Sequence, residues 1–385
     1  MRTVFIVYAL MFLYITLRVV WPLPVRWWWK LLLAVPLAAG AFKFSILHRV
    51  NPAGRYFAPD VDAGLLLPLT WLNVFLILCS MLLLMAELPR LVAWCILRRR
   101  GLLGSEGALR ARLWVNGALA ALAALATSVG MYQAFSVTRV HELELEIPGM
   151  AADAPPVTVA LLADLHADTV KREPYFRALV EQVNALGADA VVISGDFVDG
   201  SLAARGRDLA PLAGLRAPLG VFGVPGNHDY GSGYAEWMEF FSRCGIRMLP
   251  NAHAPLGQGL ELAGVTDPAA EWAGEEGPDL AKALSGVPAG KPVVLLAHQP
   301  VLAPQAAQDS RVALQLSGHT HGGMFPGLAQ IVAKYNGGYV NGLYSLGHLR
   351  LYVSPGTSLW SGMPVRIFCP GEITLITLRP ARAER

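Results

Sequence analysis

Hydrophobic residues dominate the first third of the chain in long, unbroken runs. Residues 65–86 and 113–135 contain no charged side chain, and each reaches the roughly 20 residues that a helix needs to cross the hydrocarbon core of a bilayer. Residues 4–20 and 31–42 form two shorter apolar runs, the second behind three consecutive tryptophans that are typical of a membrane interface. The pattern therefore predicts a transmembrane helical bundle of about four spans.

The first apolar run has a second interpretation, a cleaved signal peptide. Arg2 is the only basic residue before it, and no small-residue cleavage site precedes Trp21, so we interpret the run as a retained anchor. Six arginines lie between the third and fourth runs, namely Arg90, Arg98, Arg99, Arg100, Arg110 and Arg112. The positive-inside rule makes this loop cytoplasmic and places the residues after 135 on the opposite side. Lys43, Arg49 and Arg55 in the second loop count against this orientation.

From residue 137 the pattern changes to short β-rich runs separated by Gly, Pro and Asp, which is typical of a globular domain. Candidate strands are residues 140–147, 157–163, 190–194, 221–224, 260–265, 293–297, 312–316, 349–353 and 373–378. Helical spacing of apolar residues predicts helices at 174–187 and 234–244. Because the first helix lies between two strands, part of the sheet is expected to be parallel. The predicted domains are residues 1–136, in the membrane, and 137–385, an α/β domain.

Composition agrees with a membrane protein. Apolar residues make up 54% and charged residues 15% of the 385 residues, and the mean hydropathy is +0.43, which is unusually apolar for a water-soluble chain. The net charge of +3 comes largely from arginines in the membrane loops, so it does not predict nucleic-acid binding. Cys244 and Cys369 lie in the globular domain. An oxidising compartment would permit a disulfide, but their spacing does not predict one, and we expect free thiols.

Candidate chemistry is concentrated at the ends of five predicted strands. The clusters are Asp164-Leu165-His166, Gly195-Asp196-Phe197-Val198-Asp199, Gly226-Asn227-His228-Asp229, His298, and Gly318-His319-Thr320-His321-Gly322-Gly323. Ligands of such sheets bind beyond the carboxyl ends of the strands, so clusters that are distant in sequence can meet there. His319 and His321 are two residues apart, a spacing that points both side chains the same way on an extended backbone.

The residue types in these clusters indicate a centre with two divalent cations. Asp, His and Asn supply ligands that suit manganese, iron or zinc, among which we favour manganese, and the domain has no thiolate cluster for a structural zinc site. Two cations about 3.5–4 Å apart, bridged by a carboxylate, activate water and stabilise the transition state of phosphoester hydrolysis. His228 is a candidate acid for the leaving group, with Asp229 expected to hold its tautomer.

In these five blocks the chain resembles the calcineurin-like metallophosphoesterase superfamily, whose pattern runs Asp-x-His, Gly-Asp-x-x-Asp, Gly-Asn-His-Asp/Glu, a lone His and Gly-His-x-His. All five blocks occur here in order within residues 157–325, and residues 364–378 resemble the end of the membrane-anchored bacterial branch. The resemblance implies seven metal ligands. Asp164, His166 and His321 would bind one metal, Asn227, His298 and His319 the other, and Asp196 would bridge them. It also implies a four-layer α/β sandwich of two mixed β-sheets flanked by helices.

Residues beside the five blocks are expected to play accessory roles. Asp199 and Asp229 resemble residues that orient ligands without binding the metals, whereas Asp168 is expected in a solvated loop. Many relatives carry Gln after His-Gly-Gly, but this chain has Met324-Phe325-Pro326. If that loop borders the cleft together with Leu328 and Trp360, the substrate face is apolar. Such a face on a membrane-anchored protein favours a lipid or lipid-linked substrate.

The leading hypothesis is an integral membrane, metal-dependent hydrolase that acts on ester bonds. Its substrate would be a phosphodiester, which we favour, a pyrophosphate or a phosphomonoester, and its expected partners are that substrate and the lipid bilayer. We expect it in the inner membrane of a bacterium, with the catalytic domain on the periplasmic side. The competing hypothesis is a non-catalytic membrane sensor or scaffold that retains the fold, and the complete ligand set argues against it. The oligomeric state is left open.

Overall fold

The computed structural model describes residues 2–51, 60–101, 105–136 and 139–381. Contacts within the chain divide it into two compact units. One is Met1–Gln133 with Gly362–Val365, and the other is Ala134–Ser361 with Arg366–Arg385. Residue 137, where the sequence predicts the domain boundary, lies outside the described residues, as do Arg55 and residues 382–385.

The described residues up to 135 form α-helices joined by short connections. These helices are α1 (Arg2–Ile15), α2 (Trp27–Ala41), α3 (Lys43–Val50), α4 (Ala63–Met85), α5 (Glu87–Arg99) and α6 (Glu106–Phe135). A π-helical segment, Thr16–Val20, extends α1.

Three of these helical segments are long and apolar enough to cross a membrane. They are Arg2–Val20, Ala63–Met85 and Glu106–Phe135. Trp27–Ala41 and Lys43–Val50 form a pair bent by 69°, which makes a fourth span if the two helices cross as one. The apolar run 31–42 is shorter than the roughly 20 residues that a straight span requires. The described residues thus contain three continuous candidate spans and one broken candidate.

The arginine-rich loop contains a helix, α5, that is not among the predicted elements. Its apolar residues Leu88, Leu91, Val92 and Ile96 follow helical spacing, but they are exposed, and none of the residues of α5 is buried. At its start, the Glu87 carboxylate pairs with Arg18 and with Arg90, each at 2.9 Å.

Two mixed sheets, each of six strands, form the centre of the second unit. The strands are β1 (Arg139–Ile147), β2 (Val157–Leu162), β3 (Ala190–Ser194), β4 (Val221–Val224), β5 (Ile246–Met248), β6 (Ala252–Gly257), β7 (Leu260–Gly264), β8 (Val293–Leu296), β9 (Val312–Ser317), β10 (Gly342–Leu346), β11 (Leu349–Val353) and β12 (Glu372–Pro380). The strand order is β1-β12-β2-β3-β4-β5 in one sheet and β10-β11-β9-β8-β7-β6 in the other.

Helices and 3₁₀ turns connect these strands. The α-helices are α7 (Glu173–Ala185), α8 (Leu202–Leu209), α9 (Asn227–Tyr230), α10 (Tyr234–Arg243), α11 (Leu280–Ala283), α12 (Ala303–Ala306) and α13 (Leu328–Tyr335). The 3₁₀ turns are Ala210–Gly214, Pro268–Ala273, Pro300–Leu302 and His321–Gly323.

Successive side chains along a strand pack into different hydrophobic cores, and this alternation produces the predicted layers. In β2, Val159 and Leu161 belong to a core cluster that also contains residues of the second sheet, such as Leu314. Ala160 and Leu162 belong to a different cluster, which includes the apolar face of α7. A third cluster packs short helices against the other sheet. Because successive side chains of a strand face opposite sides, one sheet contributes to two cores, and the result is a four-layer sandwich.

Every strand and both helices that the sequence predicts in this unit are present, with ends that differ by at most a few residues. The elements that the pattern misses are short or exposed. They are β5, β6 and β10 among the strands and α8 and α13 among the longer helices. Strand β10 alternates between half-buried and exposed residues, and α13 contains no buried residue. Strand β10 lacks a continuous apolar face, whereas α13 has one, formed by Leu328, Ile331 and Tyr335, that is exposed or half-buried.

Candidate metal centre

The five polar clusters converge in the second unit. Asp164 and His166 follow β2, Asp196 follows β3, Asn227 begins α9 after β4, His298 follows β8, and His319 and His321 follow β9. Ligand atoms approach within 4.8 Å of one another in three groups. These groups are Asp164, His166 and His321; Asp196, His298 and His319; and His166, Asp196 and His228. The six predicted Asp and His ligands therefore lie together, with His228 among them.

Strand pairing accounts for this convergence. Strands β2, β3 and β4 are parallel neighbours in the first sheet, and β8 and β9 are parallel neighbours in the second. The carboxyl ends of parallel neighbours lie at the same edge of a sheet. The loop after β2 also reaches the loop after β3, because the Asp164 N–H donates to the Gly195 carbonyl and the His166 N–H to the Asp196 carbonyl, both at 3.0 Å.

Backbone strain is concentrated in the predicted ligands. Nine described residues other than glycine have a positive φ, and five of them are predicted to bind metal. The five are Asp164 (55°), His166 (45°), Asp196 (55°), His319 (72°) and His321 (50°). Such conformations cost about 1–3 kcal/mol each and persist where the surroundings enforce them, often at functional sites. The strain is consistent with side chains aimed at a common point.

Two glycines of the motifs leave the space that the ligands occupy. A Cβ atom at Gly195, where φ is +85°, would lie 2.5 Å from Nδ1 of His298. A Cβ atom at Gly318 would lie 2.5 Å from Oδ2 of Asp164. Any larger residue at either position would displace a predicted ligand.

In the first group of ligands, a carboxylate orients the histidine ring. Nδ1 of His166 lies 2.9 Å from Oδ2 of Asp199, which leaves Nε2 directed inwards. That Nε2 lies 3.6 Å from Oδ2 of Asp196 and 4.0 Å from Oδ1 of Asp164. His321 approaches the same Asp164 oxygen with its Nε2 at 3.9 Å. These separations resemble those of atoms that share a ligand between them more than those of direct hydrogen bonds.

In the second group, a backbone carbonyl orients the histidine. Nδ1 of His298 lies 2.7 Å from the Ser194 carbonyl oxygen, and its Nε2 lies 3.3 Å from Oδ2 of Asp196. The His319 N–H donates to both carboxylate oxygens of Asp164 at 3.1 Å. Asp196 therefore faces both groups, the position that a bridging ligand requires.

Electrostatics in the site follow from burial of many ionisable groups together. Burial and the neighbouring His298 lower the pKa of His319 to about 3, so its ring is neutral at pH 7, the form that binds a metal. Burial raises the pKa of Asp196, but the rings of His298 and His228 hold it well below its usual value. Burial lowers the pKa of His298, but Asp196 raises it well above its usual value. Asp196 thus stays an anion beside a cationic ring whose proton a metal would replace.

Buried polar atoms without a hydrogen-bond partner test whether these residues fit a metal. They include Nε2 of His166, Nε2 of His298, Nδ1 of His321 and Oδ1 of Asn227. An unsatisfied buried polar atom costs about 1–3 kcal/mol, and here four such atoms belong to predicted ligands. Imidazole nitrogens and an amide oxygen are ligands suited to borderline divalent cations. The donor set therefore fits the implied metals.

The carboxylate that positions His228 differs from the prediction. Oδ1 of Asp199 forms a short hydrogen bond with Nδ1 of His228, while Oδ2 of the same residue orients His166. The sequence assigns this role to Asp229, which is wrong. The Asp229 carboxylate instead accepts backbone N–H groups from Phe197 (2.9 Å), Val198 (3.2 Å) and Gly226 (2.8 Å). Asp229 lies next to His228 in the chain, but its side chain stabilises the loops after β3 and β4.

Asp168 also departs from the sequence expectation. It is 2% exposed, and its carboxylate pairs with Nζ of Lys171 at 2.7 Å. Lys171 in turn donates to the Leu359 carbonyl at 2.6 Å. The pair joins the loop after β2 to the segment that carries Trp360, whose ring centroid lies 6.3 Å from that of His321.

Arg366 is an important residue near the site that sequence reasoning misses. It is 1% exposed, and its guanidinium donates to four backbone carbonyls, those of His321 (3.5 Å), Cys369 (3.3 Å), Gly356 (3.2 Å) and Ser358. An arginine presents several donors in a rigid plane, so Arg366 joins three loops around His321. Its lone position in an apolar stretch, Met363-Pro364-Val365, is the only signal in the sequence.

The loop after His-Gly-Gly does not expose the apolar side chains expected there. Met324 and Phe325 are 5% and 4% exposed. Leu328 and Trp360 are half-buried. The four cysteines are free thiols in the structure, as expected for Cys244 and Cys369.

Comparison with protein families gives one clear match. A family model described as Calcineurin-like phosphoesterase matches residues 157–323, the range that contains all seven predicted ligands.

Several curated proteins are similar over more of the chain. "Transmembrane protein with metallophosphoesterase domain" of Bos taurus is 32% identical over 374 residues, which cover 92% of this chain and 81% of that protein. Its counterpart in Danio rerio is 34% identical over 265 residues, 66% of this chain and 60% of that protein. An "Uncharacterized metallophosphoesterase" of Helicobacter pylori (strain J99) is 33% identical over 253 residues, 65% of this chain. That match spans 66% of the Helicobacter pylori protein.

Proposed function

Because the chain belongs to the calcineurin-like phosphoesterase family, we propose that it is a membrane enzyme that hydrolyses a phosphoester with two divalent cations. The observation that carries the proposal is the set of buried, unpartnered ligand atoms directed into one site. The first cation would be held by Asp164, His166 and His321. The second cation would be held by Asn227, His298 and His319, and Asp196 would bind both. When bound, the two cations would supply Lewis acidity for activating water and for stabilising charge on the phosphoryl group. Manganese is the metal we favour over iron and zinc.

His228 is the residue proposed to move a proton. Its side chain is 19% exposed, whereas that of His166 is fully buried, so His228 is open to an entering substrate. Nδ1 of His228 bonds to Asp199, and Nε2 is the nitrogen proposed to donate to the leaving oxygen. The Asp199 carboxylate would stabilise the protonated ring. The backbone N–H of His228 also donates to Oδ1 of Asp196 at 2.8 Å. This hydrogen bond connects the proposed acid to the proposed bridging ligand.

Replacement of Asp196 or His319 by Ala tests the proposal. We expect hydrolysis of a generic phosphodiester, bis-p-nitrophenyl phosphate, to fall on the order of 10³-fold or more, because preorganised charge stabilisation is lost. Metal content, measured by mass spectrometry, should fall from about two per wild-type chain. His348→Ala, which removes an exposed histidine between β10 and β11, is the matched control and should keep full activity. Unchanged turnover in Asp196→Ala would contradict the assignment of the metal site, and a wild-type chain without metal would favour the non-catalytic scaffold.

The proposed substrate is a lipid or lipid-linked phosphodiester, with pyrophosphate and phosphomonoester as alternatives. The candidate membrane spans support this, since they would anchor the chain in lipid. The purified full chain should cleave such a lipid in mixed micelles faster than a soluble phosphodiester at equal concentration. A large preference for soluble phosphoesters would contradict the lipid assignment without affecting the metal site.

We further propose that the catalytic unit lies on the periplasmic side of a bacterial inner membrane. Support comes from the arginines between the third and fourth spans, which favour the cytoplasm. A compartment-sensitive reporter fused after Arg385 should report the periplasm. A cytoplasmic signal would reverse the orientation.

A further inference from the structure

Exposed apolar side chains lie on two segments that pack against the loop that carries His319 and His321. They are Leu328, Ile331 and Tyr335 on α13 and Phe368 on a second segment, and we call these four residues the apolar rim. Ile331 is 55%, Tyr335 73% and Phe368 89% exposed, while Leu328 is half-buried. Large apolar side chains exposed together on a soluble domain commonly mark a binding surface.

Backbone contacts connect the two parts of the rim to the site. The Ile367 N–H donates to the Met324 carbonyl at 2.8 Å, which holds the Phe368 loop against the end of the His-Gly-Gly loop. On the other side, a Cβ atom at Gly323 would lie 2.5 Å from Cβ of Ala329 in α13. The helix and the Phe368 loop therefore pack on Gly323 and Met324, the second and third residues after the predicted ligand His321.

The conformation of the rim is unfavourable in water alone. Phe368 has a φ of 63°, a left-handed backbone that a bulky residue adopts only when its surroundings enforce it, and its ring is nevertheless solvent-exposed. In α13, Leu328, Ile331 and Tyr335 follow helical spacing on one face. Exposure and strain at the same surface indicate a partner that covers it.

Charge identifies the kind of partner. From residue 310 to residue 371 the chain contains no aspartate or glutamate, but it contains Arg311, Lys334, Arg350 and the buried Arg366. Lys334 is exposed on α13 itself. An apolar face with an exposed lysine and no acidic residue suits the interface of an anionic membrane, which attracts basic side chains. The first unit of the same chain contains helices that are long and apolar enough to cross such a membrane.

We propose that the apolar rim of the catalytic unit docks on the surface of an anionic lipid bilayer. Ile331, Tyr335 and Phe368 would enter the interface, and Lys334 would contact the lipid phosphates. This docking does not depend on hydrolysis, so it can be tested in a chain that lacks the bridging carboxylate.

The experiment uses the full chain in vesicles with a fluorescent amino acid at position 331. Position 219 is the matched control, because Leu219 is also apolar and exposed (38%) but precedes β4 at the end opposite Asn227. Lipids brominated in their acyl chains should quench the fluorophore at 331 and not at 219. Quenching should be stronger in phosphatidylcholine vesicles that contain phosphatidylglycerol than in phosphatidylcholine alone. The Asp196→Ala variant should show the same quenching, whether or not it hydrolyses phosphoesters.

Phe368→Gly separates docking from folding. Glycine adopts the positive φ without strain, so the variant should unfold at the same or a higher temperature than wild type. Quenching at position 331 should nevertheless fall at least twofold, because an anchor is lost. Equal quenching at 331 and 219, or quenching at 331 that phosphatidylglycerol does not increase, would overturn the proposal. If a photoreactive residue at position 331 crosslinked two chains and no quenching occurred, the partner of the rim would be a second copy of the chain instead of the bilayer.

Discussion

The candidate metal centre has two halves that are held in place by different groups. The first half contains the predicted ligands Asp164, His166 and His321, and the second contains Asn227, His298 and His319. In the first half, His166 is oriented by the side chain of Asp199, and the loop of His321 is joined to its neighbours by the side chain of Arg366. In the second half, His298 is oriented by the backbone carbonyl of Ser194. The first half therefore depends on side chains that a substitution can remove. In the second half the ring of His298 depends on the path of the chain, while the backbone N–H of His319 is bound by the Asp164 carboxylate.

The first half is also connected to the residue proposed to transfer a proton, His228. Asp199 contacts both His166 and His228, so one carboxylate orients a predicted ligand and the proposed acid. Burial raises the pKa of Asp199, but the rings of His228 and His166 hold it well below its usual value. An anion is thus available to both rings at neutral pH. The second half has no comparable connection through its Ser194 carbonyl.

The largest effect on this comparison is expected from Asp199→Ala. Loss of a carboxylate behind a metal-binding histidine costs about 10- to 100-fold, and here His228 loses its partner too, so we expect activity to fall about 100-fold. Metal content should fall from about two towards about one per chain, because the metal of the first half is lost. The double variant with His321→Ala should lose no further metal, whereas the double variant with His319→Ala should lose the remainder. Loss of the second-half metal first would contradict the comparison.

Gly195→Ala is the corresponding change for the second half. The new methyl group would lie 2.5 Å from Nδ1 of His298, and the φ of +85° disfavours any residue except glycine. We expect roughly 30-fold lower activity, and the second half should lose its metal first. Gly187→Ala, at another positive φ (62°) with nothing near its Cβ, is the control for backbone strain alone. If the two variants lost the same activity, displacement of His298 would not be the cause.

A smaller effect is expected from Arg366→Lys. Lysine keeps the charge but cannot span four carbonyls with one ammonium group, so activity should fall about tenfold or less. Arg366→Met should be worse, because several buried carbonyls lose their donors at a cost of about 1–3 kcal/mol each. Thermal unfolding measures the stability change, and metal titration shows whether affinity falls in the first half. Identical metal affinity in wild type and Arg366→Met would limit Arg366 to a structural role.

Much of the fold follows from local patterns. Strands such as β3 and β4 are continuous apolar runs bounded by Gly, Pro or Asp, and their predicted ends coincide with those observed. Helix α7 has a regular apolar face. In contrast, α13 contains no buried residue and β10 lies at the edge of its sheet. Strand β10 leaves little apolar signal, whereas α13 carries apolar residues at helical spacing but is only eight residues long, too few for that spacing to distinguish a helix.

By itself the sequence determined the apolar spans and the strand positions, because these depend on side-chain type and on the short periods of the backbone. The seven proposed ligands are implied by the resemblance of five sequence blocks to a known family. The tertiary structure alone decided the partners. Asp199 rather than the adjacent Asp229 bonds to His228, and Arg366 reaches a carbonyl 45 residues away at His321. Loops from separate strands meet to make these hydrogen bonds, and the distances between such loops depend on how the two sheets pack. Packing likewise left the Phe368 ring outside the core while it buried Met324 and Phe325.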